Sequence, residues 1–245
     1  DFEEGMAKFC KEMPEEIQRF QRELSRYLAE FVPAKDNLYI DLLNIFKKKN
    51  VVYASLNYDL MLEQCVEMIG GSYKYERHRE HGKVRLLKPH GSSNFWHDQR
   101  ALRIIGNLTI IAPPGVSALE GPVLPLGREE ALRRCDVDPM APAMSLYAKG
   151  KFVNTCPKFV VQQQEEFSAA CRHASQIYII GVRVVQEDSH IWEPLASASA
   201  NITYFGSLED QADLGEWVQQ SGATNVKFVQ GYFAESLKHI HEAVN

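Results

Sequence analysis

Short apolar runs that stop abruptly at polar residues recur along this chain. Residues 51–55 (VVYAS) lead to Asn57 and Asp59, and residues 84–88 (VRLLK) lead to Pro89, His90, Gly91 and Ser92. Residues 176–181 (QIYIIG) close on Gly181, and residues 202–205 (ITYF) close on Gly206 and Ser207. Runs of this length, rich in Val, Ile, Leu and Tyr, predict buried parallel strands. A last short strand is expected over 226–229. Between the runs the apolar spacing lengthens to that of a helix. Ile17, Phe20, Leu24, Leu28 and Phe31 make one stripe over 14–31, opened by Pro14, Glu15 and Glu16 and stopped by Pro33. A second helix is expected from a cap at Asp36 through Lys49, with Leu38, Leu42, Ile45 and Phe46 inward. Others are expected over about 59–69, closed by Gly70-Gly71, then over 128–135, 160–173, up to about 200, 209–220 and 233–243.

Strands alternating with helices from residue 51 onward imply an α/β fold: a Rossmann-like, doubly wound, mostly parallel sheet. The chain reads as one domain. It has a helical part (1–50), a sheet core (51–231) with a loop insertion at about 98–158, and a C-terminal helix (232–245). The insertion opens with a hairpin, 102–105 against 108–112 around Gly106-Asn107. The Pro- and Gly-rich stretch 113–125 reads as a long loop, a lid or the wall of a pocket. Residues 139–157 read as irregular.

Composition narrows the class. The chain of 245 residues has 45% hydrophobic and 24% charged residues, values ordinary for a globular protein. A net charge of −5 and a pI near 5.9 argue against a dedicated nucleic-acid surface. The five cysteines, Cys10, Cys65, Cys135, Cys156 and Cys171, are widely spaced with no C-x-x-C pair. They read as reduced thiols of a cytoplasmic protein. No apolar run reaches the roughly 18 residues that span a bilayer, so no membrane association is expected. The start lacks a signal-peptide pattern and an initiator Met, and is expected to belong to a longer chain.

In an open α/β sheet, ligands bind beyond the carboxyl ends of the strands. Asn57, Asp59, His90, Gly91, Gly181 and Gly206-Ser207 all occupy such ends, and Asp188 and His190 follow Gly181 closely. Glycine there lets backbone N–H groups approach a pyrophosphate; Asn and Asp suit ribose hydroxyls, and His suits a base near neutral pH. Each has a plainer reading. Asp59 caps a helix, Asn57 stabilises a turn, Gly91 and Gly181 serve close packing, and His190 is structural. His78 and His81 stand near each other without a Cys or carboxylate framework and read as solvated, so no metal site is expected. No G-x-S-x-G pattern supports a serine hydrolase.

SLNYD at 55–59, KPHGSSNFW at 88–96 and YIIGVRVVQEDSHIW at 178–192 together resemble the SIR2-like (sirtuin-related) domains of bacterial antiphage defence proteins. Those domains carry T-N-Y-D, L-H-G and I-I-G-Y-S-x-x-x-x-D-x-H segments in this order, and the likeness spans about residues 36–207. The resemblance implies an NAD⁺ glycohydrolase that cleaves the nicotinamide–ribose bond, with NAD⁺ as substrate and no metal. It implies Asn57 and His90 as the catalytic pair. Ser55, Asp59, Gly91, Gly181, Arg183, Asp188, Gly206 and Ser207 are implied around NAD⁺. Control by a homo-oligomer, a regulatory domain or a defence-system partner is implied as well. The family's opening strand and G-A-G-x-S turn do not precede Asn57, and Arg183 replaces a small hydroxyl residue. The zinc-binding cysteine quartet of deacylase sirtuins is absent, which makes deacylation the lesser expectation. The rival reading is a catalytically silent nucleotide-binding or scaffold module of the same fold.

Overall fold

The computed structural model describes residues 2–76, 82–100, 109–110, 119–145 and 153–244. In chain order, helices α1 (Phe2–Glu12), α2 (Ile17–Glu30) and α3 (Leu38–Ile45) precede strand β1 (Val52–Ala54). Next come α4 (Met61–Met68), β2 (Ser72–Lys74), β3 (Lys83–Leu87), β4 (Phe95–His97), β5 (Thr109–Ile110), β6 (Leu119–Glu120) and β7 (Val123–Pro125). Then follow α5 (Arg128–Val137), α6 (Pro157–His173), β8 (Gln176–Ile180), α7 (Ser189–Ala196), β9 (Asn201–Gly206), α8 (Leu208–Ser221), β10 (Val226–Gln230) and α9 (Phe233–Val244). Among the described residues, no helix is long and apolar enough to cross a membrane.

The chain divides into two compact units. The first holds Asp1–Pro33, Ser55–Gln64 and Lys88–Gln163; the second holds Ala34–Ala54, Cys65–Leu87 and Gln164–Asn245.

The second unit carries the parallel strands. They form two three-stranded sheets, ordered β1-β3-β2 and β10-β9-β8, with every pairing parallel. The α/β class is thus as expected, although the described strands do not join into one sheet. Burial follows from this. In β9, the central strand of its sheet, Ile202, Tyr204 and Phe205 are buried. The equally apolar β8 bonds only to β9 among the described residues, and just Ile179 of its five residues is buried. Helices lie on both faces of this sheet. Phe205 meets His239 of α9 at a centroid distance of 5.5 Å, whereas Tyr204, on the opposite face, senses Asp210 and Asp213 of α8. Phe46 touches both half-sheets, with ring centroids 6.4 Å from Tyr53 and 6.2 Å from Tyr178.

In the first unit α2 packs on α5, and Trp96, Leu126, Ala131 and Cys135 form an apolar cluster. The buried stripe of α2 is Ile17, Gln21, Ser25 and Ala29, one position round from the expected one, and Phe31 is 43% exposed. The polar members are inside because neighbouring carbonyls need donors: Gln21 Nε2 donates to Met144 O at 2.8 Å and Ser25 Oγ to Ser93 O at 2.8 Å. Two local expectations change. Asn37, not Asp36, caps α3, its side chain accepting from the Tyr39 N–H at 2.8 Å, and the helix stops at Ile45. The end of the Pro-rich loop contains strands: β7 pairs antiparallel with β4 and β6 with β5. The expected hairpin turn at Gly106-Asn107, and His78 and His81, lie outside the described residues.

Candidate functional site

The sequence-derived site residues fall into both units. Ser55, Asn57, Asp59, His90 and Gly91 belong to the first; Gly181, Arg183, Asp188, Gly206 and Ser207 belong to the second.

In the first unit two turns are fastened to each other. The Asn57 side chain is exposed, and its N–H donates to Ser55 Oγ at 3.2 Å. Asp59 Oδ1 accepts from the Met61 N–H at 3.0 Å, so this carboxylate serves the start of α4, as its plainer reading holds. Between them, the buried Tyr58 donates its hydroxyl to Ser145 O at 2.8 Å and accepts from the Ser93 N–H at 3.0 Å. The second turn runs from Lys88 to Gly91, closed by the Gly91 N–H to Lys88 O at 2.9 Å. Lys88 is fully buried. Its Nζ donates to Asn57 O at 2.8 Å and to Asp59 O at 2.6 Å, and lies 3.3 Å from Glu63 Oε1. Its backbone N–H donates to Gln163 Oε1 at 3.1 Å.

His90 is 5% exposed and sits in a wholly buried run through Asn94. That run is held by backbone pairing. Gly91 bridges Met144, the Ser92 N–H donates to Ala143 O at 3.1 Å, and the Ser145 N–H to His90 O at 2.8 Å. Glycine is required at 91. Its φ is +84°, and a Cβ there would stand 2.2 Å from Ala143 O and 2.8 Å from Met144 Cα.

Deeper in this unit Asp138 gathers a buried network. Its Oδ2 accepts from Arg134 Nη1 at 2.7 Å and Gln99 Nε2 at 2.9 Å, and lies 3.5 Å from His97 Nε2. Arg134 also covers the Trp96 ring, its Cζ 5.8 Å from the centroid. Burial lowers the His97 pKa, opposed by Asp138 and assisted by Arg134. No sequence motif marked this network.

In the second unit the carboxyl ends of β9 and β10 open on a cavity of about 520 Å³, lined by Gly206, Ser207, Glu209, Tyr232 and Glu235 among others. Ser207 caps α8: its Oγ accepts from the Asp210 N–H at 3.3 Å, while Asp210 Oδ2 accepts the Ser207 N–H at 2.7 Å. Tyr232 is 78% exposed at the rim, and Glu235 Oε2 accepts its N–H at 3.1 Å. Gly181 ends β8 with φ +63°, nothing near its Cβ position, and its N–H directed at Phe205 O. Arg183 is exposed, with Nε 3.9 Å from Asp213 Oδ2. Asp188 is buried ahead of α7, and its carbonyl accepts from the Ile191 and Trp192 N–H groups.

Two residues of the first site escaped the motif reading, Lys88 and Glu63. Their signal was present as a lysine closing the apolar run 84–88 and a glutamate among the apolar residues of 60–66, both charges in segments that read as buried. All five cysteines are thiols, none of them in a disulfide. Burial pushes Cys156 and Cys171 up to about 12, which leaves them without thiolate character. Comparison with protein-family models, with curated proteins and with solved structures finds no match to this chain.

Proposed function

We propose that this chain is an NAD⁺ glycohydrolase in which Asn57 and His90 carry the chemistry. One observation supports this most directly: Lys88, two residues before His90, bonds the carbonyl of Asn57, so the two turns that supply the proposed pair are held to each other. In the reaction the C1′–N bond breaks and its electron pair leaves with neutral nicotinamide. Water adds to the oxocarbenium-like ribosyl cation and gives up a proton. Asn57, with its side chain exposed, orients ribose hydroxyls or the water, and His90 accepts the proton. Ser55 and Asp59 border the same turn, with Asp59 assigned to the nicotinamide side.

The cavity at the β9 and β10 ends supports nucleoside recognition in the second unit. Glu209 and Glu235 suit ribose hydroxyls, and the exposed Tyr232 offers a stacking surface. Two carboxylates make a poor phosphate site, so the cavity beside Gly206 and Ser207 suits a nucleoside better than a pyrophosphate. The role as an antiphage effector rests on the three-motif resemblance. Because uncontrolled NAD⁺ loss is toxic, the proposal includes control through homo-oligomer assembly or a regulatory partner.

A second reading, a silent nucleotide-binding module, is favoured by one specific feature. The Asp59 carboxylate and the Ser207 hydroxyl are already engaged in helix caps. Nicotinamide release from NAD⁺ separates the two. Turnover by the wild-type protein should fall by about a hundredfold or more in Asn57→Ala and in His90→Ala. Turnover that survives both substitutions sinks the site, and NAD⁺ binding without turnover selects the silent module.

A further inference from the structure

Lys88 has a role that neither motif reading nor general packing supplies. A lysine ammonium has three N–H donors. Here all three have a partner: Asn57 O, Asp59 O and the Glu63 carboxylate, at 2.8, 2.6 and 3.3 Å. Both members of the ion pair are buried, with Lys88 Nζ and Glu63 side chains 1% and 2% exposed. Burying such a pair does not by itself stabilise a fold, since desolvation offsets the attraction. The arrangement must therefore be explained by what it holds. What it holds is the backbone on both sides of Tyr58. Both bonds from Lys88 to this turn go to backbone oxygens, so neither occupies the exposed Asn57 amide.

We propose that Lys88 is a positioning residue for Asn57. It fixes the backbone of the 57–59 turn relative to the turn carrying His90, Glu63 balances its charge, and neither side chain touches the substrate. The proposal rests on the reading of Asn57 and His90 as the reacting pair. Its physical logic is that an exposed side chain repeats one geometry only when the backbone beneath it is fixed, and that a misplacement of about 1 Å can cost about a hundredfold in rate.

The test compares the wild type with Lys88→Met/Glu63→Met, which removes both buried charges together so that neither is stranded, and with Lys88→Arg, which keeps a cationic donor. Two readouts are taken on protein shown to be folded by circular dichroism. The first is nicotinamide release, with kcat, KM for NAD⁺ and the pH profile separated. The double variant should lose about a hundredfold in kcat, with KM and the pH profile nearly unchanged and partial recovery in Lys88→Arg. The second is hydrogen exchange of the 55–60 amides, which should quicken in the double variant while α2 amides keep their protection. Unchanged exchange at 55–60 overturns the clamp whatever the activity. Exchange that quickens with kcat unchanged overturns the positioning role. A wild type without turnover, yet with the exchange response, defeats the hydrolase reading and leaves the clamp standing as a holder of the turn. A double variant that fails to fold shows the pair to be structural and overturns the proposal.

Discussion

Replacing Gly91 by alanine tests the claim that the His90 loop is built by backbone contact. An L-residue at φ +84° costs about 1–2 kcal/mol. The new Cβ also meets Ala143 O at 2.2 Å and Met144 Cα at 2.8 Å, both backbone atoms that no rotamer change can move aside. Relief requires residues 143–145 to withdraw, which breaks the bonds from Ser92 N–H to Ala143 O and from Ser145 N–H to His90 O. At about 1 kcal/mol for each bond the total loss is roughly 3 kcal/mol. Urea unfolding read by Trp96, in a background of Trp192→Phe and Trp217→Phe, should show a midpoint lower by about 1 M. Gly222→Ala, in the second unit and read by Trp217 in a background of Trp96→Phe and Trp192→Phe, is the control. Its φ of +71° carries the same conformational cost, but nothing lies within 4 Å of the added Cβ, so a loss of about 1 kcal/mol is expected. Equal losses at the two positions would refute the steric argument and leave only backbone preference.

Two further outcomes follow from neighbouring features. Burial holds the His97 pKa below its ordinary value in the folded chain, against the pull of Asp138 and Asp98 and with the help of Arg134. The unfolded chain therefore takes up a proton first as pH falls through about 6.5, so stability should decline from there toward the lower folded pKa and then level off. His97→Gln should flatten that decline in unfolding measured between pH 7.5 and 5, and an unchanged slope would exclude His97 as its source. At the second site, Asp210→Ala removes one half of the α8 capping box and should cost about 1 kcal/mol by thermal unfolding. A neutral result would mean that tertiary packing, not the cap, sets the start of α8.

Much of this organisation is legible in the chain because it rests on local pattern. The runs at 51–55, 84–88, 176–181, 202–205 and 226–229 all become strands, since apolar residues bounded by turn formers have few other options. What fails is what depends on partners distant in sequence. The inner face of α2 is polar because Met144 O and Ser93 O lie against it, far from Gln21 and Ser25 in the chain. The strands β6 and β7 hide in a Pro- and Gly-rich stretch because short antiparallel pairs draw their register from β5 and β4, not from their own composition. A single sheet was expected because alternation says which segments are strands, whereas pairing decides how many sheets they make. Lys88 shows the same division: its type and place marked it as unusual, but only the carbonyls of Asn57 and Asp59 show why it is there.

The division into two half-sheets has a practical consequence for handling the protein. Six parallel strands in one sheet would present two edges; here, among the described residues, they present four. One of these is β8, where Ile177, Tyr178 and Ile179 stand on a strand bonded only to β9, with no proline or lysine to blunt it. Such an edge templates the addition of any extended apolar segment that reaches it. Concentrated solutions should therefore be governed by this five-residue border more than by the net charge of −5. A single lysine introduced at Ile177 would then do more for colloidal behaviour than several charges added elsewhere on the surface.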